Sequence, residues 1–311
     1  MLYSTTTPAA KRAAFRERLR SGELLQLPGA FNPLAARLIQ DKGFDGVYVS
    51  GAVVSADLGL PDVGLTTLSE VATRAGQIAR MTDLPTLVDA DTGFGEAMNV
   101  ARTVQTLEDA GVAGLHVEDQ VNPKRCGHLD GKQVVDDATA LQRVRAAAAA
   151  RRDENLLIMA RTDIRAVAGL GAAIDRAKAL VDAGADAVFP EAMRDLAEFE
   201  AVASALDVPV LANMTEFGKS ELFTARQLAD AGVALVIYPV SLLRLAMGAA
   251  ERGLDALRAE GSLASQVPSM QTRSRLYELV DYAGYGDFDA GVYDFSLDDH
   301  HHGERPDRHR G

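Results

Sequence analysis

Short apolar, β-rich runs recur eight times along this chain, separated by alanine-rich segments whose apolar residues repeat at helical spacing. The runs are LLQLPGA from Leu24, DGVYVSG from Asp45, PTLVDADTG from Pro85, GLHVEDQ from Gly114, LLIMARTD from Leu156, AVFPEA from Ala187, PVLANMTE from Pro209 and ALVIYPV from Ala234. Between them lie segments such as NPLAARLIQDKG, NVARTVQTLEDAG, GAAIDRAKALVDAGAD and TARQLADAG. Eight strand-helix alternations predict an α/β fold, a parallel (β/α)8 barrel. The recurrent Ala-Gly endings mark helix C-caps that lead into the next strand. A chain of 311 residues is a usual length for one such barrel.

The segments after the eighth run, SLLRLAMGAAERGLDALRAEG and PSMQTRSRLYELVDYAGY, read as helices beyond what a barrel needs. They are expected to pack on the outside of the barrel or on a neighbour. The expected organisation is one barrel domain over 1–286, including an N-terminal helix and these C-terminal helices. A charged tail over 287–311 has little to bury and is expected to be disordered. Its His300, His301 and His302 read as part of that solvated tail rather than as a metal site.

A net charge of −12 argues against nucleic acid or an anionic membrane as partner. An anionic substrate would then need local cations or a metal. A single cysteine excludes an internal disulfide, which makes the cytoplasm the expected location. No window approaches the roughly 18 apolar residues of a membrane span, and the opening MLYSTTTPAAKRAAFRERLR lacks the apolar core of a signal peptide.

In parallel barrels the reacting groups stand at the C-terminal ends of the strands. Those ends here are Ser50-Gly51-Ala52, Asp89-Ala90-Asp91, Glu118-Asp119, Arg161-Thr162-Asp163, Glu191 and Asn213-Met214-Thr215-Glu216. Asp89 and Asp91, two apart, leave one face of a strand, and Glu118 ends the next. They are either solvated capping carboxylates or an oxygen-donor set for a divalent cation, which suits Mg2+ better than Zn2+. Arg161 either pairs with Asp163 or Glu118, or joins Arg244 in clamping carboxylates. Ser50 and Gly51 form a plain turn or offer donors to a carboxylate. Glu191, Asn213 and Thr215 are candidates for fixing substrate oxygens. Cys126, between Lys124-Arg125 and Gly127-His128, sits in a polar loop where a packing cysteine has no reason to be. AGLGAA, from Ala168, reads as a helix start rather than a phosphate loop.

DADTGFG, HVEDQVNPKRCGH, ARTD, FPEA and NMTE, in this order, resemble the phosphoenolpyruvate mutase and isocitrate lyase superfamily over about Pro8 to Tyr285. KRCGH resembles the loop of those members that cleave isocitrate or 2-methylisocitrate. The chain length, SGAVVSADLGLPD and SMQTR resemble the branch acting on 2-methylisocitrate. The resemblance implies Mg2+, replaceable by Mn2+, held at Asp89 and Asp91, with Glu118 and Asp62 as further ligands. It implies substrate contacts from Ser50, Gly51, Ala52, Cys126, Gly127, Arg161, Glu191, Asn213, Met214, Thr215, Arg244 and Arg273. Ala52 stands where the family commonly has a second glycine, in a turn one residue shorter. A homotetramer that exchanges its last helix between subunits is also implied.

The implied reaction is a retro-Claisen cleavage of the tricarboxylate 2-methylisocitrate to pyruvate and succinate, in the methylcitrate cycle of propionate catabolism. Cys126 would protonate the succinate carbanion, with Lys124 among the cations that tune its thiol, and His128 and the arginines would stabilise the enediolate. Tyr48 is either the base for the hydroxyl or a packed aromatic. Phe189, Ile237 and Pro239 are either core or an apolar wall for the methyl group. The alternatives are isocitrate cleavage to glyoxylate and succinate and, more remotely, a non-catalytic binding barrel. A Schiff-base aldolase would need a lysine at a strand end, but Lys124 is in a loop, Lys178 in mid-helix and Lys219 beyond Thr215.

Overall fold

The computed structural model describes residues 4–125, 131–218 and 220–293. Residues Tyr3–Met270 and those from Gln271 onward form two compact units. In the first unit α1 (Pro8–Arg20) precedes β1 (Leu25–Pro28), α2 (Pro33–Asp41), β2 (Val47–Val49), α3 (Gly51–Asp57) and α4 (Leu68–Ala79). Then come β3 (Thr86–Asp89), α5 (Ala97–Asp109), β4 (Gly114–Glu118), α6 (Asp137–Ala150), β5 (Leu157–Thr162) and α7 (Arg165–Asp182). The unit ends with β6 (Ala187–Pro190), α8 (Leu196–Ser204), β7 (Leu211–Asn213), α9 (Ala225–Asp230), β8 (Leu235–Tyr238) and α10 (Ser241–Glu260).

The eight strands are parallel and close on themselves. Hydrogen bonding runs β2-β3-β4-β5-β6 and β1-β8-β7, and parallel bridges Gly29 to Tyr48 and Val188 to Val210 join the two arcs. The expected (β/α)8 barrel is therefore what forms. Because successive strand side chains face opposite ways, Leu27, Leu87, Met159, Leu211, Leu235 and Ile237 fill the interior. Val47, Val88, Leu115, Val117 and Ile158 instead pack outward against the helices.

The N-terminal end of the barrel is plugged by α1, whose Phe15 and Leu19 join the interior cluster. Thr7 caps this helix through the Ala10 N–H. Its cations dock on helix C-termini, where unsatisfied carbonyls concentrate negative charge. Buried Lys11 donates to Ala79 O and Thr82 O beyond α4. Arg12 donates to Glu108 O and Val112 O beyond α5 and pairs with Asp153. Lys11→Met keeps the apolar stem but strands two buried carbonyls. It is expected to cost about 2–3 kcal/mol, read from urea denaturation, and a loss below about 0.5 kcal/mol would show the contact to be incidental.

In α7 the AGLGAA stretch is interrupted at Gly169, φ 88° and ψ −179°, and a new helical piece begins there, in keeping with a helix start. The second unit contains α11 (Arg273–Leu279) and α12 (Tyr282–Tyr293), with Tyr277 stacked on Tyr282 at 4.7 Å between ring centroids. Helix α12 runs past the expected start of the tail at residue 287. The segment DFDAGVY still carries Phe288, Val292 and Tyr293, and dense charge begins only at Asp298. The remainder of the tail, with its three histidines, lies outside the described residues. Among the described residues no helix is long and apolar enough to cross a membrane.

Candidate active site

Strand ends at the C-terminal mouth of the barrel place the predicted groups around a cavity of about 290 Å3. Its lining includes Tyr48, Ser50, Ala52, Asp62, Asp89, Lys124, Arg161, Phe189, Glu191, Asn213, Thr215, Ile237, Pro239 and Arg244. Asp91 instead lines a larger cavity of about 650 Å3, together with residues such as Thr66, Thr92, Phe94, Arg102 and Asn122. That cavity gathers hydroxyls and one arginine but, of the strand-end groups, only Asp91, whereas Ser50, Asp89, Arg161, Glu191, Asn213 and Thr215 line the smaller one.

Asp89, the last residue of β3, is buried and accepts from two backbone donors, Gly51 N–H at 3.1 Å and Asp91 N–H at 3.0 Å. Gly51 gives these carboxylates room: a Cβ there would lie 3.0 Å from Asp89 Oδ2 and 3.1 Å from Asp91 Oδ1, tight enough that they would have to shift by a few tenths of an ångström. Asp91 has a positive φ of 47°, a left-handed backbone that costs a non-glycine residue about 1–2 kcal/mol. Lys124 Nζ stands 2.7 Å from Asp91 Oδ1 and 2.6 Å from Asp62 Oδ1. The Asp91 contact is an ion pair without hydrogen-bond alignment.

Burial works against the Asp89 charge, but His116, Lys124 and Arg161 outweigh it and lower its pKa to about 2. Burial lowers the His116 pKa to about 4. The imidazole is therefore neutral at pH 7, and Lys124 and Arg161 are the cations that hold Asp89 ionised there. Burial and then Asp89 push Asp91 up to about 6, against the pull of Lys124.

Glu118, at the end of β4, is buried with neither carboxylate oxygen in a hydrogen bond, and burial raises its pKa well above the usual range. Arg161 Nε lies 3.2 Å away. The same guanidinium donates to both oxygens of Asp163, at 3.0 and 3.3 Å, and lies 3.4 Å from Glu191. Of the sequence alternatives for Arg161, the pairing with Asp163 and Glu118 is present. The guanidinium is embedded in an ion network, and its Nη1 has no partner among the described residues. Asp119, the next residue after Glu118, faces the other way and ties Thr162, the Asp163 N–H and Arg176 together.

Among the described residues no three His, Cys, Asp or Glu side chains are set to hold a metal by themselves. A hydrated Mg2+ does not need such a cage, because it keeps several waters and takes one or two carboxylates. The oxygen-only donors Asp89 and Asp91, the unsatisfied oxygens of Glu118 and the space left by Gly51 fit such an ion.

Not every predicted residue is brought together. Met214 turns its side chain outward to the packing of β7 against the helices, where Sδ accepts from Phe223 N–H, and its own N–H bonds Ile237 O. Strand alternation sends only its neighbours Asn213 and Thr215 to the cavity. Arg273 is the first residue of α11 in the second unit. Cys126, Gly127 and His128 lie outside the described residues. Their N-terminal flank is held where Gln120 pairs with both the N–H and the carbonyl of Arg125, each at 2.9 Å.

The phosphoenolpyruvate phosphomutase family model matches residues 15–258. The chain belongs to the phosphoenolpyruvate mutase and isocitrate lyase superfamily. It is 58% identical to the probable 2-methylisocitrate lyase 2 of Corynebacterium glutamicum, over 96% of this chain and 97% of that protein. It is 48% identical to the 2-methylisocitrate lyase of Escherichia coli, over 88% and 93%. Among solved structures, oxaloacetate acetylhydrolase in complex with 3,3-difluorooxalacetate superposes with a TM-score of 0.87 at 34% identity, covering 92% of this chain and 98% of that one. Phosphonopyruvate hydrolase in complex with oxalate and Mg2+ gives 0.82 at 29%, covering 90% and 98%.

Within this superfamily barrel, sequence reasoning passed over His116 and Lys132. His116 is fully buried on β4 with Nε2 2.7 Å from the Tyr48 hydroxyl and Nδ1 3.8 Å from Asp89 Oδ1. A neutral imidazole with its proton on Nδ1, facing Asp89, leaves Nε2 to accept from Tyr48. Burial, then Asp89, raises the Tyr48 pKa well above the usual value, so the phenol is protonated. The available signal was spacing: His116 lies two residues before Glu118 on one strand and so shares its inward face. Lys132 Nζ pairs with buried Asp163 at 2.7 Å, a contact that no local pattern announces.

Proposed function

We propose that this barrel cleaves 2-methylisocitrate to pyruvate and succinate. The observation that carries this reading is one cavity lined both by the cations Lys124, Arg161 and Arg244 and by the apolar side chains of Phe189, Ile237 and Pro239, with the Arg161 guanidinium carbon 5.0 Å from the Phe189 ring centroid. The cations suit a tricarboxylate, and the apolar side chains suit a methyl group. The names of the relatives support the same substrate.

In the retro-Claisen step the substrate hydroxyl loses its proton and its oxygen becomes the keto oxygen of pyruvate. The electrons of the broken carbon–carbon bond pass to the succinate fragment as an aci-carboxylate. Negative charge grows on both fragments, so the fixed charges of Arg161 and Lys124 stabilise the transition state more than the ground state, while Arg244 holds a carboxylate that is charged throughout. Arg161 Nη1 and Arg244 receive carboxylates. Ser50, the Gly51 turn, Ala52, Glu191, Asn213, Thr215 and the backbone at Met214 position the remaining oxygens. Tyr48 takes the proton of the reacting hydroxyl as its own phenol proton passes to Nε2 of the neutral His116, 2.7 Å away. Cys126 Sγ–H gives its proton to the succinate carbon, while Gly127 and His128 border the same loop and Lys124 supplies positive charge beside it.

Asp89 and Asp91 would hold a divalent cation, with Glu118 and Asp62 as outer partners. When bound, it supplies Lewis-acid polarisation of the hydroxyl and its neighbouring carboxylate. Mg2+ is our assignment, with Mn2+ able to substitute, supported by the donor set and by the Mg2+ in the phosphonopyruvate hydrolase complex. We also propose a homotetramer that exchanges its last helix, a location in the cytoplasm and a place in the methylcitrate cycle. Exposed Leu245, Met247 and Leu254 on α10 and Phe288, Val292 and Tyr293 on α12 support the assembly.

The test is turnover with Mg2+ on 2-methylisocitrate and isocitrate separately, measuring pyruvate and glyoxylate. A methyl pocket is worth about 1–3 kcal/mol, so 2-methylisocitrate should be preferred by roughly 10–200-fold in kcat/KM. Equal efficiency on both would replace this reading with isocitrate cleavage.

A further inference from the structure

The rim of the cavity carries an anion that a site for a tricarboxylate has no obvious use for. Glu216 follows Thr215 at the end of β7 and lines the cavity. Its Oε1 accepts from Ser241 Oγ at 2.5 Å, and its Oε2 accepts from Arg244 Nη1 at 3.0 Å. The same Nη1 donates to Thr215 Oγ1 at 3.0 Å and to the Glu216 carbonyl at 2.8 Å.

Phe217 completes the arrangement. Its ring lies 5.5 Å from the Arg244 guanidinium carbon, although it is 95% exposed and its backbone has a φ of 62°. A bulky residue adopts that left-handed conformation only at a cost. An aromatic ring held there in water contributes little to a core, but it offers a face to a cation. Three consecutive residues, 215 to 217, thus surround one side of one guanidinium with a hydroxyl, a carbonyl, a carboxylate and a ring. The Nε and Nη2 of Arg244 have no partner among the described residues. They form the edge that can take a carboxylate by two parallel hydrogen bonds.

We infer that Glu216 is a positioning residue: with Ser241 and Phe217 it fixes the Arg244 guanidinium so that its Nε–Nη2 edge is presented to a substrate carboxylate. This rests on the proposed role of Arg244 in binding that carboxylate. Glu216 has both oxygens turned to donors, on Ser241 and Arg244, so its charge is answered before the substrate arrives. An arginine held in one rotamer loses less freedom on binding than one waving at a half-exposed rim. The benefit is therefore felt in substrate affinity and not in the bond-breaking step.

The experiment is steady-state kinetics with 2-methylisocitrate and saturating Mg2+ on the wild type, Glu216→Ala, Glu216→Gln, Arg244→Ala and the Glu216→Ala/Arg244→Ala double variant. Thermal melts confirm that each is folded. Glu216→Ala is expected to raise KM by roughly 5–20-fold with kcat changed less than about threefold, the pattern of lost uniform binding. Glu216→Gln retains an acceptor for Arg244 and should recover much of the loss. In the double variant KM should rise no further than in Arg244→Ala, because Glu216 acts through that arginine. A Glu216→Ala variant with unchanged or lower KM, or one whose effect adds in full to that of Arg244→Ala, overturns the inference while leaving Arg244 as a substrate ligand. An unchanged KM in Arg244→Ala removes the carboxylate-binding role itself, and the inference with it.

Discussion

Replacing Cys126 with serine is expected to lower turnover by about 10²–10⁴-fold, the usual contribution of a positioned acid or base. Serine keeps nearly the same size but exchanges a thiol, which as free cysteine titrates at about 8.5, for a hydroxyl that is a far poorer acid. The binding apparatus stands on other elements: Arg161 and Asp89 end β5 and β3, and Lys124 is paired with Asp62 and Asp91. Substrate and metal should therefore bind the serine variant nearly as before, and the loss should fall on kcat. Alkylation of the wild-type thiol should inactivate, and bound substrate should protect. A packing cysteine would give the opposite pattern, with slightly lower stability and a near-normal rate. Wild-type kcat in Cys126→Ser would reject the proton-donor role and leave KRCGH as a binding loop.

Loss of the metal is expected to be at least as severe. Chelation should abolish turnover and added Mg2+ or Mn2+ restore it, because polarising the hydroxyl and its carboxylate is worth several kcal/mol, at least about 10³-fold in rate. Asp89→Ala should mimic chelation but should not be rescued by added metal. That aspartate also receives the N–H groups of Gly51 and Asp91, so its removal releases the loop that shapes the site. Asp89→Asn separates the two effects in part: its one amide oxygen still accepts from one of the two N–H groups while its NH2 faces the other, so it should melt between the wild type and Asp89→Ala, yet lose the tight Mn2+ binding that electron paramagnetic resonance would detect. Full activity after exhaustive chelation would remove the metal from this mechanism.

Much of this site was legible in the sequence because barrel chemistry obeys a positional rule. Eight runs with strand character locate eight strand ends, and Asp89, Arg161, Glu191, Asn213 and Thr215 stand at those ends around one cavity. Two details need more than that rule. Alternation turns the Met214 side chain outward while Asn213 and Thr215 line the cavity. Charge marks the expected tail from 287, whereas Phe288, Val292 and Tyr293 continue a helix.

What the sequence alone determined is whatever a local period can encode: strand or helix, inward or outward face, and which carboxylates and cations end on the mouth of the barrel. Tertiary structure alone decided who meets whom across strands and loops that are remote in the chain. Tyr48 and His116 are 68 residues apart, Lys124 and Asp62 are 62 apart, and Glu216 and Arg244 are 28 apart. These pairings depend on the register in which the parallel strands close. Whether a buried histidine is core or a hydrogen-bond partner, and whether a rim glutamate repels substrate or steadies an arginine, follows from distances that closure sets and no periodicity carries.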